Sequence, residues 1–194
     1  MKIRAAGYGT RGPLWLAVSA LLLLLCSDAG AMASSTRASA DSPGASTGKS
    51  IAAPDCALAL VTDKTHSTLR QFRGKVLYVD FWASWCTSCV LSFPFLNELN
   101  RSYQAQGLQV VGMNMDQKPA DAQRFLDEHA AKFAIALGSN AQCAKDFGVA
   151  GMPSSYLIDR NGSIRYVHQG FRANDTVELR KQVEQLLAER PASP

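Results

Sequence analysis

The sequence lacks the residue patterns that are typical of metal sites and of nucleic-acid binding. Its three histidines, at positions 66, 129 and 168, are not spaced as metal ligands. It has no second C-x-x-C pair and no H-x-x-x-H pair, so nothing completes a zinc site around a single C-x-x-C. Charged residues are spread without runs of one sign, and the formal net charge is only +4. The composition therefore gives no indication of a nucleic-acid partner, and we expect neither a metal nor a cofactor.

The sequence also lacks an apolar run long enough for a typical membrane span, which needs about 20 residues. Its longest apolar stretch is Leu14–Cys26, and three bases precede it, Lys2, Arg4 and Arg11. Small residues follow, with cleavage sites at Ala29-Gly30-Ala31 or Ala31-Met32-Ala33. This pattern predicts a secretory signal peptide over residues 1–33 and an exported protein. The alternatives are an uncleaved membrane anchor and lipid attachment at Cys26, which Leu25 before it disfavours.

Large apolar residues are nearly absent from residues 34–53, which are rich in serine, alanine, glycine and threonine. Such a segment buries too little surface to offset the entropy lost on ordering, so we predict a flexible linker. Residues 54–194 are long enough for one domain with its own core.

The most informative stretch is Trp85-Cys86-Thr87-Ser88-Cys89, which follows an apolar run over residues 76–82. The run predicts a buried strand and the residues after Cys86 predict a helix. Cys86 would then lie at a helix N-terminus, where free N–H groups and the helix dipole favour the thiolate. Cys89, one turn later, would keep its proton and attack only after Cys86 has formed a mixed disulfide. A structural disulfide or half of a zinc site is the alternative explanation of the pair.

Strands and helices alternate along the rest of the chain. Strands are predicted over 57–61, 75–81, 108–115, 133–137, 155–159 and 163–169, a turn or helical stub over 67–72, and helices over 86–106, 119–131, 141–147 and 174–189. Asn161-Gly162 predicts a hairpin between the last two strands. The last helix is amphipathic, with Val177, Val183, Leu186 and Leu187 predicted on one face.

Three motifs resemble the thioredoxin superfamily, and within it the TlpA-like or ResA-like thiol:disulfide oxidoreductases that bacteria export. Residues 79–86, Val-Asp-Phe-Trp-Ala-Ser-Trp-Cys, resemble the active-site strand and turn of that superfamily. Pro94 stands where family members kink the first active-site helix, and residues 147–153 resemble the loop that carries a cis-proline. The resemblance covers about Cys56 to Leu187. It implies an α/β thioredoxin-like fold, with a central mixed sheet flanked by helices and a TlpA-type helix-strand insertion between Met115 and Ala141.

The resemblance also implies roles for individual residues. Asp80 stands where thioredoxins carry a buried acid, so we expect a raised pKa and a role as proton acceptor for Cys89. A lysine that thioredoxins place near this acid is replaced here by Gly112. Met152 and Pro153 would contact an extended substrate segment, and Trp85 would shield the thiolate and touch the substrate. Trp82 is expected in the core.

Cys56 and Cys143 have no role in this scheme. An unpaired thiol is a liability in an oxidising compartment, and some TlpA-like proteins have an extra bridge, so a structural disulfide between them is a hypothesis. The alternative is that both are free.

The function predicted from these features is that of a periplasmic protein-disulfide oxidoreductase. By resemblance it would reduce protein disulfides, for example in cytochrome c or copper-site assembly, and would be recharged by a membrane-bound or periplasmic electron donor. Two alternatives use the same thiols: a Cu(I)-binding metallochaperone module, because thiolates suit that soft ion, and a thiol peroxidase. Peroxidases need a threonine three residues before the reactive cysteine, and Ala83 occupies that position here.

Overall fold

A strand that is buried along its whole length, Val76–Trp82, forms the centre of the sheet in the computed structural model, which describes residues 51–61, 66–137 and 140–190. The strands are β1 Ile51–Ala52, β2 Ala57–Ala59, β3 His66–Thr68, β4 Val76–Trp82, β5 Leu108–Asn114, β6 Ala134–Ala136, β7 Ser154–Ile158 and β8 Ser163–Gln169. The helices are α1 Thr87–Tyr103, α2 Pro119–Glu128, α3 Ala141–Phe147 and α4 Asp175–Ala188. Short 3-10 helices cover Leu69–Phe72 and Gln104–Gln106.

Six of these strands form one mixed sheet in the order β1-β8-β7-β4-β5-β6. The pairs β4–β5 and β5–β6 are parallel, whereas β7 is antiparallel to both β4 and β8. β2 and β3 pair separately as a two-stranded sheet. The predicted parallel partner of the central strand and the predicted hairpin after residue 159 are both present.

Alternate residues of β4 pack into two separate hydrophobic clusters, one on each face of the sheet. Tyr78 and Trp82 belong to the cluster with α1, α2 and α4, which also contains Cys86 and Cys89. Val79 and Phe81 belong to the cluster with β2 and α3, which contains Cys56 and Cys143. Burial on both faces explains why the sequence of β4 is almost continuously apolar.

The helix over 141–147 and the strand over 163–169 begin and end at the predicted residues. Most other boundaries differ from the predicted ones by one to three residues. The predicted helix over 86–106 is α1 followed by a 3-10 turn, and it ends at Gly107, whose φ of 99° suits glycine. The predicted helix over 119–131 ends at Glu128, because His129 already leaves the helical conformation with ψ 73°.

Two predictions need correction. The flexible linker was predicted to reach residue 53, but Ile51 and Ala52 pair with β8 as an edge strand, so backbone pairing extends the fold beyond what side-chain composition indicated. The sequence predicts Val177 on the same face as Val183 and Leu186, but Val177 is 76% exposed, and Leu179 is buried with those two residues instead. The predicted signal peptide and most of the linker lie outside the described residues. In the part of the chain that the structure describes, no helix is long and apolar enough to span a membrane.

Candidate active site

The C-x-x-C pair lies where the central strand passes into α1. Strand β4 ends at Trp82, and Cys86 is the residue that caps the N-terminus of α1. The Cys86 Sγ accepts the backbone N–H of Cys89 at 3.2 Å, and the Ser88 hydroxyl oxygen lies 3.8 Å from the same sulfur. In the reduced protein, these donors and the helix dipole would stabilise a Cys86 thiolate.

The two cysteines differ in access. They are joined by a disulfide in the structure, with Cα atoms 5.3 Å apart. The Cys86 residue is 5% exposed and Cys89 is 0% exposed. A substrate sulfur therefore has access to Cys86 and not to Cys89. A nucleophile must be accessible in this way, and a resolving thiol must be protected from the substrate.

Asp80 lies in the middle of β4 and is almost completely buried. The Ser155 hydroxyl donates to Asp80 Oδ1 at 2.6 Å, and Oδ2 has no hydrogen-bond partner among the described residues. Burial raises the pKa of Asp80 to about 7, because desolvation penalises the carboxylate more than the Ser155 hydrogen bond favours it. Asp80 shares its sheet face with Tyr78 and Trp82, and so with the cluster that holds Cys86 and Cys89.

Gly112 lies directly beside Asp80 on β5, as the sequence indicated. A Cβ atom there would come within 2.9 Å of Ile135 Cδ1, 3.0 Å of Phe133 and 3.1 Å of the Trp82 indole nitrogen. Aromatic and aliphatic side chains therefore occupy the space where a lysine would have to begin. The Asp80 carboxyl consequently has an apolar neighbour on this side instead of a cation.

The Met152–Pro153 loop lies at the same end of the sheet as the cysteines. Its peptide bond is cis, and Ser154, the next residue, pairs with Phe81 of β4. Pro153 is therefore beside the end of β4, from which the turn to Cys86 leaves. Met152 packs against the cluster that contains both cysteines.

Asp116, which the sequence analysis missed, holds the active-site turn through hydrogen bonds to Ser84. Its carboxylate accepts the Ser84 backbone N–H at 2.9 Å, the Ser84 hydroxyl at 2.9 Å and the Asn114 side-chain amide at 2.7 Å. Asp116 is 8% exposed, so these bonds satisfy a carboxylate that is largely withdrawn from water. The sequence does contain a signal that could have identified Asp116. It is an aspartate two residues after a buried strand, at the edge of the sheet where parallel strands end and functional sites usually form.

The remaining aromatic and cysteine side chains divide between the site and the opposite face. Trp85 is 68% exposed beside Cys86, whereas Trp82 is fully buried against Phe93. Cys56 and Cys143 have Cα atoms 5.5 Å apart and are joined by a disulfide in the structure, on the other face of the sheet. This bridge connects the residue before β2 with α3 and lies on the face away from the site.

Comparison with known proteins agrees with the geometry. The Redoxin family profile matches residues 47–187. A thiol-disulfide oxidoreductase ResA from Geobacillus thermodenitrificans is 29% identical over 126 residues, which cover 65% of this chain and 72% of the relative.

Two solved structures extend the comparison. A candidate thiol:disulfide interchange protein DsbE from Chlorobium tepidum is 42% identical with a TM-score of 0.69, and the match covers 73% of this chain and 99% of that one. A candidate protein disulfide isomerase from Bacteroides thetaiotaomicron is 26% identical with a TM-score of 0.65, over 72% of this chain and 90% of that one. The expected thioredoxin-like fold is confirmed. The chain belongs to the Redoxin family and is a thioredoxin-like protein-disulfide oxidoreductase.

Proposed function

We propose that this oxidoreductase reduces protein disulfides in the periplasm, with Cys86 as nucleophile, Cys89 as resolving thiol and Asp80 as proton acceptor. The observation that carries the proposal is the position of Cys86: its sulfur caps α1 and accepts the Cys89 N–H, while Cys89 is fully buried. The N-terminal sequence, which matches the pattern of a secretory signal peptide, supports the location.

The reaction has two displacement steps. The Cys86 thiolate attacks one sulfur of the substrate disulfide, so a mixed disulfide forms and one substrate thiolate leaves. Asp80 then takes the Cys89 proton, directly or through water, and the Cys89 thiolate attacks the Cys86 sulfur. The second substrate thiolate leaves, the substrate has gained two electrons, and the enzyme holds the Cys86–Cys89 disulfide.

The site residues around the pair have separate parts in these steps. A carboxyl with a pKa near 7 accepts a proton from a buried thiol more readily than an ordinary aspartate does. Trp85 lies beside Cys86, and the Met152–Pro153 loop lies at the same end of the sheet, so both would contact the substrate chain. An electron donor must reduce the disulfide after each turnover, and it would be a membrane-bound or periplasmic protein of the same thiol chemistry. If residues 1–33 are not cleaved, the same apolar segment would anchor the protein to the membrane.

The reduction potential of the Cys86–Cys89 pair tests the direction of the reaction. We expect a value near that of thioredoxin, about −270 mV, and well below that of the oxidant DsbA, about −120 mV. The measurement is equilibration against glutathione with mass-spectrometric counting of alkylated thiols, and Cys89→Ala is the control that cannot close the disulfide. A potential near the oxidant value would reverse the proposed direction, and a pair that does not exchange at all would refute the proposed function.

A further inference from the structure

A groove runs beside the cysteine that attacks the substrate and is not used by the chemistry described above. One wall is the active-site turn and the first turn of α1, with Trp85, Cys86 and Val90. The other wall is α2, with Arg124, Phe125 and Glu128. The groove has a volume of about 400 Å³, which is in the range of ordinary ligand sites. A chain whose sulfur is bonded to Cys86 has room to continue along it.

The apolar part of the groove lies next to the sulfur. Trp85 offers a large exposed aromatic surface, and amphipathic aromatic residues of this kind are common anchors in protein interfaces. Phe125 closes the groove from α2, where it packs against Trp82 and Phe93. Phe125 is largely buried, so it attaches α2 to the core beside the active-site turn.

The charges on the α2 wall do not cancel. Arg124 forms an ion pair with Asp121, so these two groups neutralise each other. Glu128 is exposed and forms no ion pair within the described ranges. His129 is the other titratable group that lines the groove, and its ring packs against Phe125. The carboxylates and the guanidinium of the wall therefore leave one unbalanced negative charge, whereas the whole chain has a formal charge of +4.

We propose that this groove binds the client segment next to the attacked cysteine and selects segments that carry a lysine or arginine there. The proposal rests on the proposed function, because it assigns a sequence preference to the same thiol site. The exposed aromatic surface of Trp85 contacts the chain, and Glu128 pairs with the base. The net positive charge of the protein would by itself favour acidic segments, so a preference for a base would identify the local wall as its source.

Two peptides that differ in one charge test this inference. Each has a single cysteine bonded to thionitrobenzoate, with a lysine or a glutamate two residues after the cysteine. The leaving-group thionitrobenzoate directs the Cys86 thiolate to the peptide sulfur, and its release is followed by absorbance. The reduced protein should react with the lysine peptide at least about threefold faster than with the glutamate peptide at low salt and pH 8. High salt should shrink this ratio.

Two variants with the same net charge locate the effect. Glu128→Lys should abolish or invert the ratio, whereas Asp127→Lys, one residue earlier on α2 and outside the groove, should keep it. Equal ratios in the two variants, or no preference in the wild-type protein, would overturn the inference while leaving the proposed function intact. If neither peptide releases thionitrobenzoate although both Cys86 and Cys89 titrate as free thiols, the proposed function itself fails.

Discussion

Asp80 combines two properties that normally exclude each other, full burial and an ionisable carboxyl. Only one of its oxygens has a hydrogen-bond partner among the described residues, and the Gly112 side offers apolar groups instead of a cation. Desolvation therefore dominates, and it keeps the carboxyl protonated at pH values where an exposed aspartate is ionised. The same burial that makes Asp80 a useful proton acceptor makes it costly for stability.

This cost should appear as a dependence of stability on pH. Between about pH 4 and pH 7 the folded protein holds a proton on Asp80 that the unfolded chain has released, so the free energy of unfolding falls as the pH rises through this window. Asp80→Asn removes the titration. At pH 8 the variant should therefore be more stable than the wild type by roughly 1–4 kcal/mol, with little difference at pH 4.

Urea unfolding of the oxidised protein at pH 4, 6 and 8 measures this effect. Asp127→Asn, which replaces an exposed carboxyl on α2, is the control and should follow the wild type. If the free energies of unfolding of the wild type and of Asp80→Asn differ by the same amount at all three pH values, Asp80 does not cause the pH dependence.

Asp80 also has a kinetic signature. Asp80→Asn should slow the attack of Cys89 on the mixed disulfide by roughly 10²-fold or more, the usual scale of general base catalysis, and leave the first attack by Cys86 nearly unchanged. Stopped-flow measurement of the two displacement steps separates them. Unchanged rates in both steps would eliminate Asp80 as the proton acceptor.

Asp116 supports the cysteine turn through its hydrogen bonds to Ser84. Asp116→Ala leaves the Ser84 N–H and the Asn114 amide without their charged acceptor, so it should lower the free energy of unfolding by about 1.5–3 kcal/mol and slow the reaction of Cys86. Urea unfolding and the thionitrobenzoate assay check the two effects. Asp146→Ala is the control, since Asp146 accepts, among the described residues, only from Gln142 on the surface of α3. Equal stability losses in both variants would contradict the role of Asp116.

At the scale of elements, the junction between β4 and α1 makes the site. A buried parallel strand delivers its C-terminal end to the edge of the sheet, and the helix that follows presents free N–H groups to the first sulfur. Hydrophobic periodicity predicted this junction because both elements are long and strongly patterned. It predicted the end of α2 and the buried face of α4 less well, because short amphipathic helices depend on the elements that they meet.

The Cys56–Cys143 pair is also best considered as a connection between elements. The bridge would close a loop across a sequence separation of 87 residues, from the residue before β2 to α3. Replacing both residues by alanine should lower the free energy of unfolding by about 2–5 kcal/mol, because a long loop loses more entropy when it is closed. Urea unfolding under oxidising conditions tests this.

A thiol count distinguishes the two states of this pair directly. After mild reduction that opens only the Cys86–Cys89 disulfide, alkylation should label two cysteines of the domain and leave Cys56 and Cys143 unlabelled. The double variant should exchange disulfides at the wild-type rate. Finding Cys56 and Cys143 labelled before any reduction would remove the proposed bridge.

For the molecule as a whole, the two faces of the sheet have separate tasks. The face with α1, α2 and α4 holds both reactive cysteines, Asp80 and the groove, and the other face holds the Cys56–Cys143 pair. A structural disulfide on the far face could therefore persist in an oxidising compartment while the reactive pair cycles. This arrangement suits an exported protein.

Export itself gives a prediction for the whole chain. Expressed in a bacterium with its leader, the protein should be recovered from the periplasm with an N-terminus at Met32 or Ser34, because the small residues before these positions match signal peptidase sites. Mass spectrometry of the intact protein measures this. A mass that retains residues 1–33 would replace cleavage with an uncleaved anchor, and recovery from the cytoplasm alone would contradict export.

The resemblance to the thioredoxin superfamily predicted the fold class, and the sequence by itself determined the thiol pair and the acid inside the central strand. Those features are local: a buried run, two cysteines one turn apart, and an acid inside an apolar strand are all visible as patterns. Only the tertiary structure decided that Asp116 supports Ser84, that Ser155 donates to Asp80, and that α2 forms a charged wall beside Cys86. These contacts join residues more than 30 positions apart, and strand order and helix packing, which no local pattern encodes, bring them together.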